Sequence, residues 1–222
     1  MKKIHFPGLI PQKNSTFAVT AECLNGIMDT SLLKALGEIA ASPEVTVHIT
    51  TAQKIMILGL DEAKGKEVIK KLDDAGAVVR KNRDIGTPRV CVGKPWCKFA
   101  AQDTFAMAEH IYDALAREPI SPKLKVAISG CPACCSWANM MDLGFVGVTS
   151  GFKVMLGGHG GSNPVKGTGI CTINSPEEAV EILRRLAALF NANVKIKMRV
   201  DRLVKKLGFD HVKNEILQNI SS

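Results

Sequence analysis

The sequence predicts an α+β fold in two halves, and three observations predict it. Residues 16–80 alternate strand-like and helix-like segments in the order β-α-β-β-α-β. Residues 86–222 mix short β segments with several amphipathic helices. Between the two, residues 81–88 are polar and end in Thr87-Pro88, a turn signal. The expected domains are 1–85 and 86–222.

In chain order, residues 1–14 read as an irregular arm, punctuated by Pro7-Gly8 and Pro11. Residues 16–22 alternate and are β-rich, so they predict a strand. Apolar Leu32, Leu33, Leu36, Ile39 and Ala40 have helical spacing over 31–41, with Asp29, Thr30 or Ser31 as N-cap. Strands follow at 45–50 and 54–60. Asp61 is placed to cap a helix to about residue 75, and Gly76 to stop it. A short strand at 77–80 completes the ferredoxin-like split unit, a fold that hosts many functions.

In the second half, Phe105, Met107, Ala108, Ile111 and Leu115 form the apolar stripe of a helix over 103–117. Residues 124–128 read as a buried strand, followed by β segments near 145–148, 152–156 and 169–173. Ser175-Pro176-Glu177-Glu178 is a helix start, a cap followed by proline at the first helical position. That helix runs to about Phe190. Two terminal helices, 199–207 and 210–218, are broken at Gly208.

The chain has 222 residues, 46% of them hydrophobic, enough for a globular core. No apolar run is long enough to span a membrane, and the start lacks the apolar stretch of a signal peptide. The expected location is cytoplasmic. The formal net charge is +8. Aromatics are scarce at 5% and no long basic run interleaves with them, which weighs against nucleic acid. An anionic substrate, an anionic cofactor or an acidic electron-transfer partner suits the charge.

Seven cysteines, an odd number grouped by motif, argue against a disulfide framework. Cys23 and Cys171 stand alone in apolar surroundings and read as buried, inert thiols. The other five fall in two Gly/Pro-containing turns. Cys91 and Cys97 are spaced C-x5-C, and Gly130-Cys131-Pro132 leads to Cys134 and Cys135. A helix beginning at Pro132 would place Cys134 and Cys135 both within reach of a metal held by Cys131, so spacing leaves that choice open. Unpaired N–H groups at such a helix start favour a negative group. Four-thiolate zinc is the plain alternative, although C-x5-C is loose for zinc.

The two-part cysteine motif resembles that of the sulfite/nitrite reductase family, in the form of a small, single-repeat, assimilatory-type member. The resemblance spans almost the whole chain and implies a ferredoxin-like half followed by a [4Fe–4S]- and sirohaem-binding half. By resemblance, Cys91, Cys97, Cys131 and Cys135 hold the cluster, Cys135 bridges it to the sirohaem iron, and Cys134 is a spectator. Thr50-Thr51-Ala52-Gln53-Lys54 resembles the family's T-x-R-Q-[NT] motif, which faces the sirohaem; Ala52 and Lys54 depart from it. Asn139 resembles the polar residue placed near the macrocycle. The segments Asp142 to Gly147 and Gly157 to Gly161, with Gly157 and Gly158 leading the second, resemble stretches that let backbone approach the cofactors.

The implied reaction is six-electron reduction of sulfite to sulfide, or of nitrite to ammonia. The chain shows no flavin or dinucleotide fingerprint, so the electrons are expected from an external donor such as ferredoxin or a small cytochrome. An anion at the haem calls for cations, and Arg83, Arg89 and Lys54 are the chosen candidates among several. A homodimer could complete the pocket that larger members build from a second repeat. His159 is a candidate proton donor or a hydrogen-bonded loop residue. Trp96 and Trp137 are expected to shield the cluster or to pack in the core. An iron–sulfur or sirohaem-carrying electron-transfer protein without turnover is the alternative.

Overall fold

The computed structural model describes residues 6–79, 87–115, 118, 120, 121, 123–193 and 198–220. The chain forms two compact units, Met1–Asp84 and Ile85–Ser222.

The first unit contains β1 (Ile10–Pro11), β2 (Phe17–Glu22), α1 (Thr30–Ala40), β3 (Thr46–Ile49), β4 (Lys54–Leu60), α2 (Glu62–Asp74) and β5 (Val78–Val79). Its sheet is antiparallel, with β4 between β2 and β3. On the other side of β2, β1 pairs with its start and β5 with its end. The arm expected to be irregular therefore contributes a strand, and Pro11 is tolerated because it lies at the sheet edge. The helices begin where their caps stand. Asp29 accepts from the Leu32 N–H at 2.8 Å, and Asp61 from the Lys64 N–H at 2.7 Å. Val19, Ile57, Leu60, Val68 and Leu72 are fully buried in the core that results.

The second unit contains β6 (Arg89–Val90), the short turn α3 (Gly93–Trp96), α4 (Thr104–Leu115) and β7 (Val126–Ser129). It continues with β8 (Leu143–Val148), β9 (Gly151–Leu156), β10 (Thr168–Ile173), α5 (Pro176–Asn193), α6 (Val200–Leu207) and α7 (Phe209–Leu217). The sheet order is β10-β9-β8-β7-β6. The β6–β7 and β7–β8 pairs are parallel, whereas β8–β9 and β9–β10 are antiparallel. Its core joins Met107 and Ile111 of α4 to Phe145, Val154 and Leu156 of the sheet, Ile182 and Leu186 of α5, Leu203 and Val212. At the start of α5, Ser175 accepts from the Glu178 N–H while the Glu178 carboxylate accepts from the Ser175 N–H, a reciprocal capping box. No helix among the described residues is long and apolar enough to cross a membrane.

Candidate functional site

The parallel pairing of β6 with β7 places both cysteine turns at one end of the sheet. Val90 lies opposite Ile128, so Cys91 leaves β6 beside the residues that lead from β7 to Cys131. The Cys91 N–H donates to the Ile128 carbonyl at 3.2 Å, and the Gly130 N–H donates to Cys91 Sγ at 3.1 Å. Gly130 is where the loops touch. A Cβ there would stand 3.1 Å from Gly93 Cα and from Ala100 Cβ. Its carbonyl accepts from the N–H groups of Ala101 and Gln102, at 2.7 and 3.2 Å. Thr104, fully buried, donates its hydroxyl to the Cys91 carbonyl at 2.6 Å.

The helix expected from Pro132 does not form. The second loop is a chain of turns instead, with Cys134 N–H to Cys131 carbonyl at 3.1 Å and Trp137 N–H to Cys134 carbonyl at 2.8 Å. Cys134 and Trp137 are left-handed, at φ +56° and +58°, conformations that break a right-handed helix. The cause lies in Ser129 and Ser136, both buried. The Ser136 hydroxyl donates to the Ile128 carbonyl at 2.8 Å and stands 2.6 Å from the Ser129 hydroxyl, which pins the loop to the strand it has just left. No helix start, and so no row of unpaired helix N–H groups, stands at Cys131.

This backbone separates the two adjacent thiols. Cys134 is half-buried against the cluster of Ala127, Ala138, Val146 and Met155, and its sulfur accepts from the Asn139 N–H at 3.4 Å. Cys135 is exposed, while Cys91, Cys97 and Cys131 are half-buried. Among the described residues no three His, Cys, Asp or Glu side chains are close enough to share a single ion. Zinc binding would require four thiolates about 2.3 Å from one centre.

Around the thiols stands an exposed aromatic rim. Trp96 and Phe99 are each 72% exposed and Trp137 57%, so neither tryptophan is a core residue. The Arg89 guanidinium lies 5.4 Å from the Trp137 ring centroid, and Lys98 lies 5.0 Å from that of Phe99. Arg89 Nε is buried without a hydrogen-bond partner, and desolvation pulls the guanidinium below its ordinary pKa.

In the first unit, residues 50–54 form the tight turn between β3 and β4. The Thr50 N–H donates to the Lys54 carbonyl at 2.9 Å, and the Thr50 hydroxyl accepts from the Lys54 N–H at 3.1 Å. Gln53 is left-handed at φ +59°, and Thr51 is exposed. Lys54, expected to face an anion, is buried and forms an ion pair with Glu22. Its position in β4, opposite Glu22 of β2, brings the two together. Arg83 and Arg80 lie outside the described residues.

Residues 82–221 match the family described as nitrite and sulphite reductase 4Fe–4S domain. Residues 10–75 match the nitrite/sulfite reductase ferredoxin-like half domain. The chain belongs to the nitrite and sulfite reductase family. It is 26% identical over 213 residues to an assimilatory-type sulfite reductase of Nitratidesulfovibrio vulgaris, covering 95% of this chain and 97% of that protein. It is 27% identical over 212 residues to an NAD(P)H nitrite reductase of Emericella nidulans, covering 94% of this chain but 19% of that one. The solved NirA protein of Mycobacterium tuberculosis shares the fold, with a TM-score of 0.75 at 24% identity over 96% of this chain and 42% of its own. Dissimilatory sulfite reductase I shares it too, at the same score and 13% identity, covering 93% of this chain and 70% of its own. The chain thus belongs with oxidoreductases, in a family whose larger domain is an iron–sulfur one.

Within this nitrite and sulfite reductase fold, Asn139, just past the second cysteine loop, is tied to the glycine-rich segments. The Asn139 carbonyl accepts from the Gly167 N–H at 2.8 Å, and a Cβ on Gly158 would come within 2.6 Å of the same carbonyl oxygen. Gly157 donates to the Asp142 carbonyl at 2.9 Å. Asp142 was legible only as part of a glycine-rich segment, yet it is fully buried and anchors several elements. Its carboxylate accepts from Arg199 Nε at 2.8 and 2.9 Å, from the Val200 N–H at 3.0 Å and from the Lys125 N–H at 2.8 Å. Desolvation raises its pKa against the lowering pull of those donors. Ser129, Ser136 and Thr104 were also missed. Small hydroxyl residues beside cysteines carry no pattern that sets them apart from solvated ones.

Proposed function

We propose that the chain is a sirohaem- and [4Fe–4S]-dependent reductase that takes sulfite to sulfide by six electrons, or nitrite to ammonia, with electrons from an external donor. The observation that carries this reading is the meeting of two cysteine loops on the ends of β6 and β7, with Cys135 turned outward and Cys134 turned in. Cys91, Cys97, Cys131 and Cys135 are the proposed cluster ligands, one thiolate per iron, with Cys135 the one shared with the sirohaem side. The fit rests on their placement at one sheet end and on the Gly130 N–H aimed at a sulfur, the kind of donor that tunes a cluster. When bound, the two groups store electrons and supply the iron at which the anion is reduced.

This chain's own residues would bind, orient and exclude water. Arg89, stacked on Trp137 and with an unpartnered Nε, is the proposed cation for the anion. Thr50, Thr51, Gln53 and Asn139 are proposed polar contacts to the macrocycle, with Gly157 and Gly158 holding the Asn139 turn. The proposed division is 1–85 as the ferredoxin-like half, which lends polar contacts, and 86–222 as the half that binds the cluster and the sirohaem. A second reading, an electron-transfer or sirohaem-carrying protein without turnover, draws on the pairing of Lys54 with Glu22, which removes one expected anion contact.

Protein purified without oxygen would be assayed for iron, acid-labile sulfide and extracted tetrapyrrole. Oxidation of reduced viologen would then be followed on adding sulfite or nitrite. Cluster iron, sirohaem and anion-dependent oxidation are expected together. Cluster and sirohaem without anion-dependent oxidation would favour the carrier, and iron without tetrapyrrole after reconstitution would overturn the sirohaem reading.

A further inference from the structure

The segment after β9 continues beyond Gly158 into a feature of its own. His159 and Val165 pair as an antiparallel bridge, at 2.9 and 2.8 Å, and between them the loop 160–164 stands out from the sheet. A cavity of about 660 Å³ opens beside it, walled on the other side by Met198 and the start of α6. That volume falls in the range of small-molecule sites.

The charges around it are unevenly matched. Arg199 is committed to the buried Asp142 and serves as wall. Arg202 and Lys205, 65% and 68% exposed, have Asp201 as their one acidic partner among the described residues, and they reach it at 3.9 and 3.8 Å. The Asp201 side chain is 10% exposed and stands 4.0 Å from His159 Nδ1, which is buried and has no hydrogen-bond partner. One carboxylate is therefore shared among three nitrogen groups at distances too long for a hydrogen bond to any of them. Residues 160–163 line the cavity, and their N–H groups donate to no described residue.

We propose that this cavity is an oxyanion site, taking the phosphate or sulfate group of a small molecule or the free ion. Arg202 and Lys205 hold the anion's oxygens with the loop N–H groups. Relieved of both cations, Asp201 closes on His159 Nδ1 and accepts its proton in a hydrogen bond. The exchange turns three long contacts into short, charge-assisted ones. This proposal does not rest on the proposed reductase activity.

The test is calorimetric titration of the purified, cluster-loaded protein with inorganic phosphate, inorganic sulfate and glycerol phosphate, at constant ionic strength set with chloride. Saturable binding of at least one probe is expected, weakened about tenfold or more in the double variant Arg202→Gln/Lys205→Gln, since hydrogen bonds to charged groups carry that much. Both side chains are mostly exposed, so the double variant should fold; Lys34→Gln, on α1, is the control and should bind as the parent does. Tighter binding of glycerol phosphate than of phosphate would support an organic ligand, and equal binding the free ion. No saturable binding of any probe, or equal affinity in the double variant, would overturn the proposal. None of these readouts depends on sulfite or nitrite turnover, so the two proposals fail separately.

Discussion

The first unit and the cysteine end of the second treat their charges in opposite ways. In the first, Lys54 is buried against Glu22, and along α2 the lysines at 64, 66 and 70 face carboxylates three or four residues away. In the second, the residues around the cysteines stay open: Arg89 lies on an exposed indole, Lys98 on an exposed phenyl ring, and Cys135 meets solvent. A unit whose charges are matched internally has finished its folding work. One that leaves cations, aromatics and thiols together at a sheet end holds binding capacity that the fold itself does not use. The difference teaches where to look for chemistry in a chain of two units that are each built of regular strands and helices.

The comparison can be broken most directly at the two adjacent thiols. Cys135→Ser should lose most of its cluster iron, while Cys134→Ser should keep it, measured as iron and labile sulfide per chain. Equal loss in both would mean that the inward turn of Cys134 does not separate their roles. Next in size is the buried pair of the first unit. Glu22→Gln should destabilise the protein by about 3 kcal/mol, because it removes the carboxylate that faces a buried ammonium, and should leave iron content unchanged. Denaturant unfolding with iron assayed alongside checks both halves of that statement, and a fall in iron would dissolve the contrast between the units.

Smaller still is the cap of α2. Asp61→Ala should cost about 1 kcal/mol by the same unfolding assay, the usual worth of an N-cap side chain. The least effect is expected at Cys171, whose thiol burial pushes up to about 11. A raised thiol pKa favours the protonated form in the folded state. Its contribution is therefore complete below the unfolded value near 9.0 and is lost as pH rises towards about 11. Alkylation followed by peptide mapping should leave Cys171 unmodified at neutral pH and modify it only in that alkaline window. Ready labelling at neutral pH would remove the distinction between solitary and clustered cysteines.

Much of the fold was legible because its signals are local. Alternation marked β2, β3 and β4, and Asp29 and Asp61 stood where helix-capping residues belong. What escaped was set by distant partners. β1 and β6 are two residues each, too short to show a period, and exist because β2 and β7 lie beside them. Gly-Cys-Pro promised a helix start, but the buried Ser136 hydroxyl reaching back to Ile128 decides the path of that loop. Lys54 looked like an anion contact from its neighbours in sequence, and only strand pairing reveals Glu22 beside it. Tryptophans next to cysteines suggested either a shield for the cluster or core packing, and their surface positions exclude the core. Sequence neighbours identified which residues matter near the cysteines, and tertiary contacts decided which way each one faces.

The contact between Gly130 and the Cys91 sulfur joins residues 39 apart in the chain. Before β6 and β7 are in register, the five clustered thiols exist as two separate groups, neither holding all four of the proposed ligands. Contacts of such sequence separation come at the cost of closing a long loop and form late relative to local ones. An iron carrier arriving during synthesis would thus meet two incomplete chelators, each able to take metal in the wrong stoichiometry. Loading of the proposed four-thiolate site would therefore wait on the pairing of a two-residue strand.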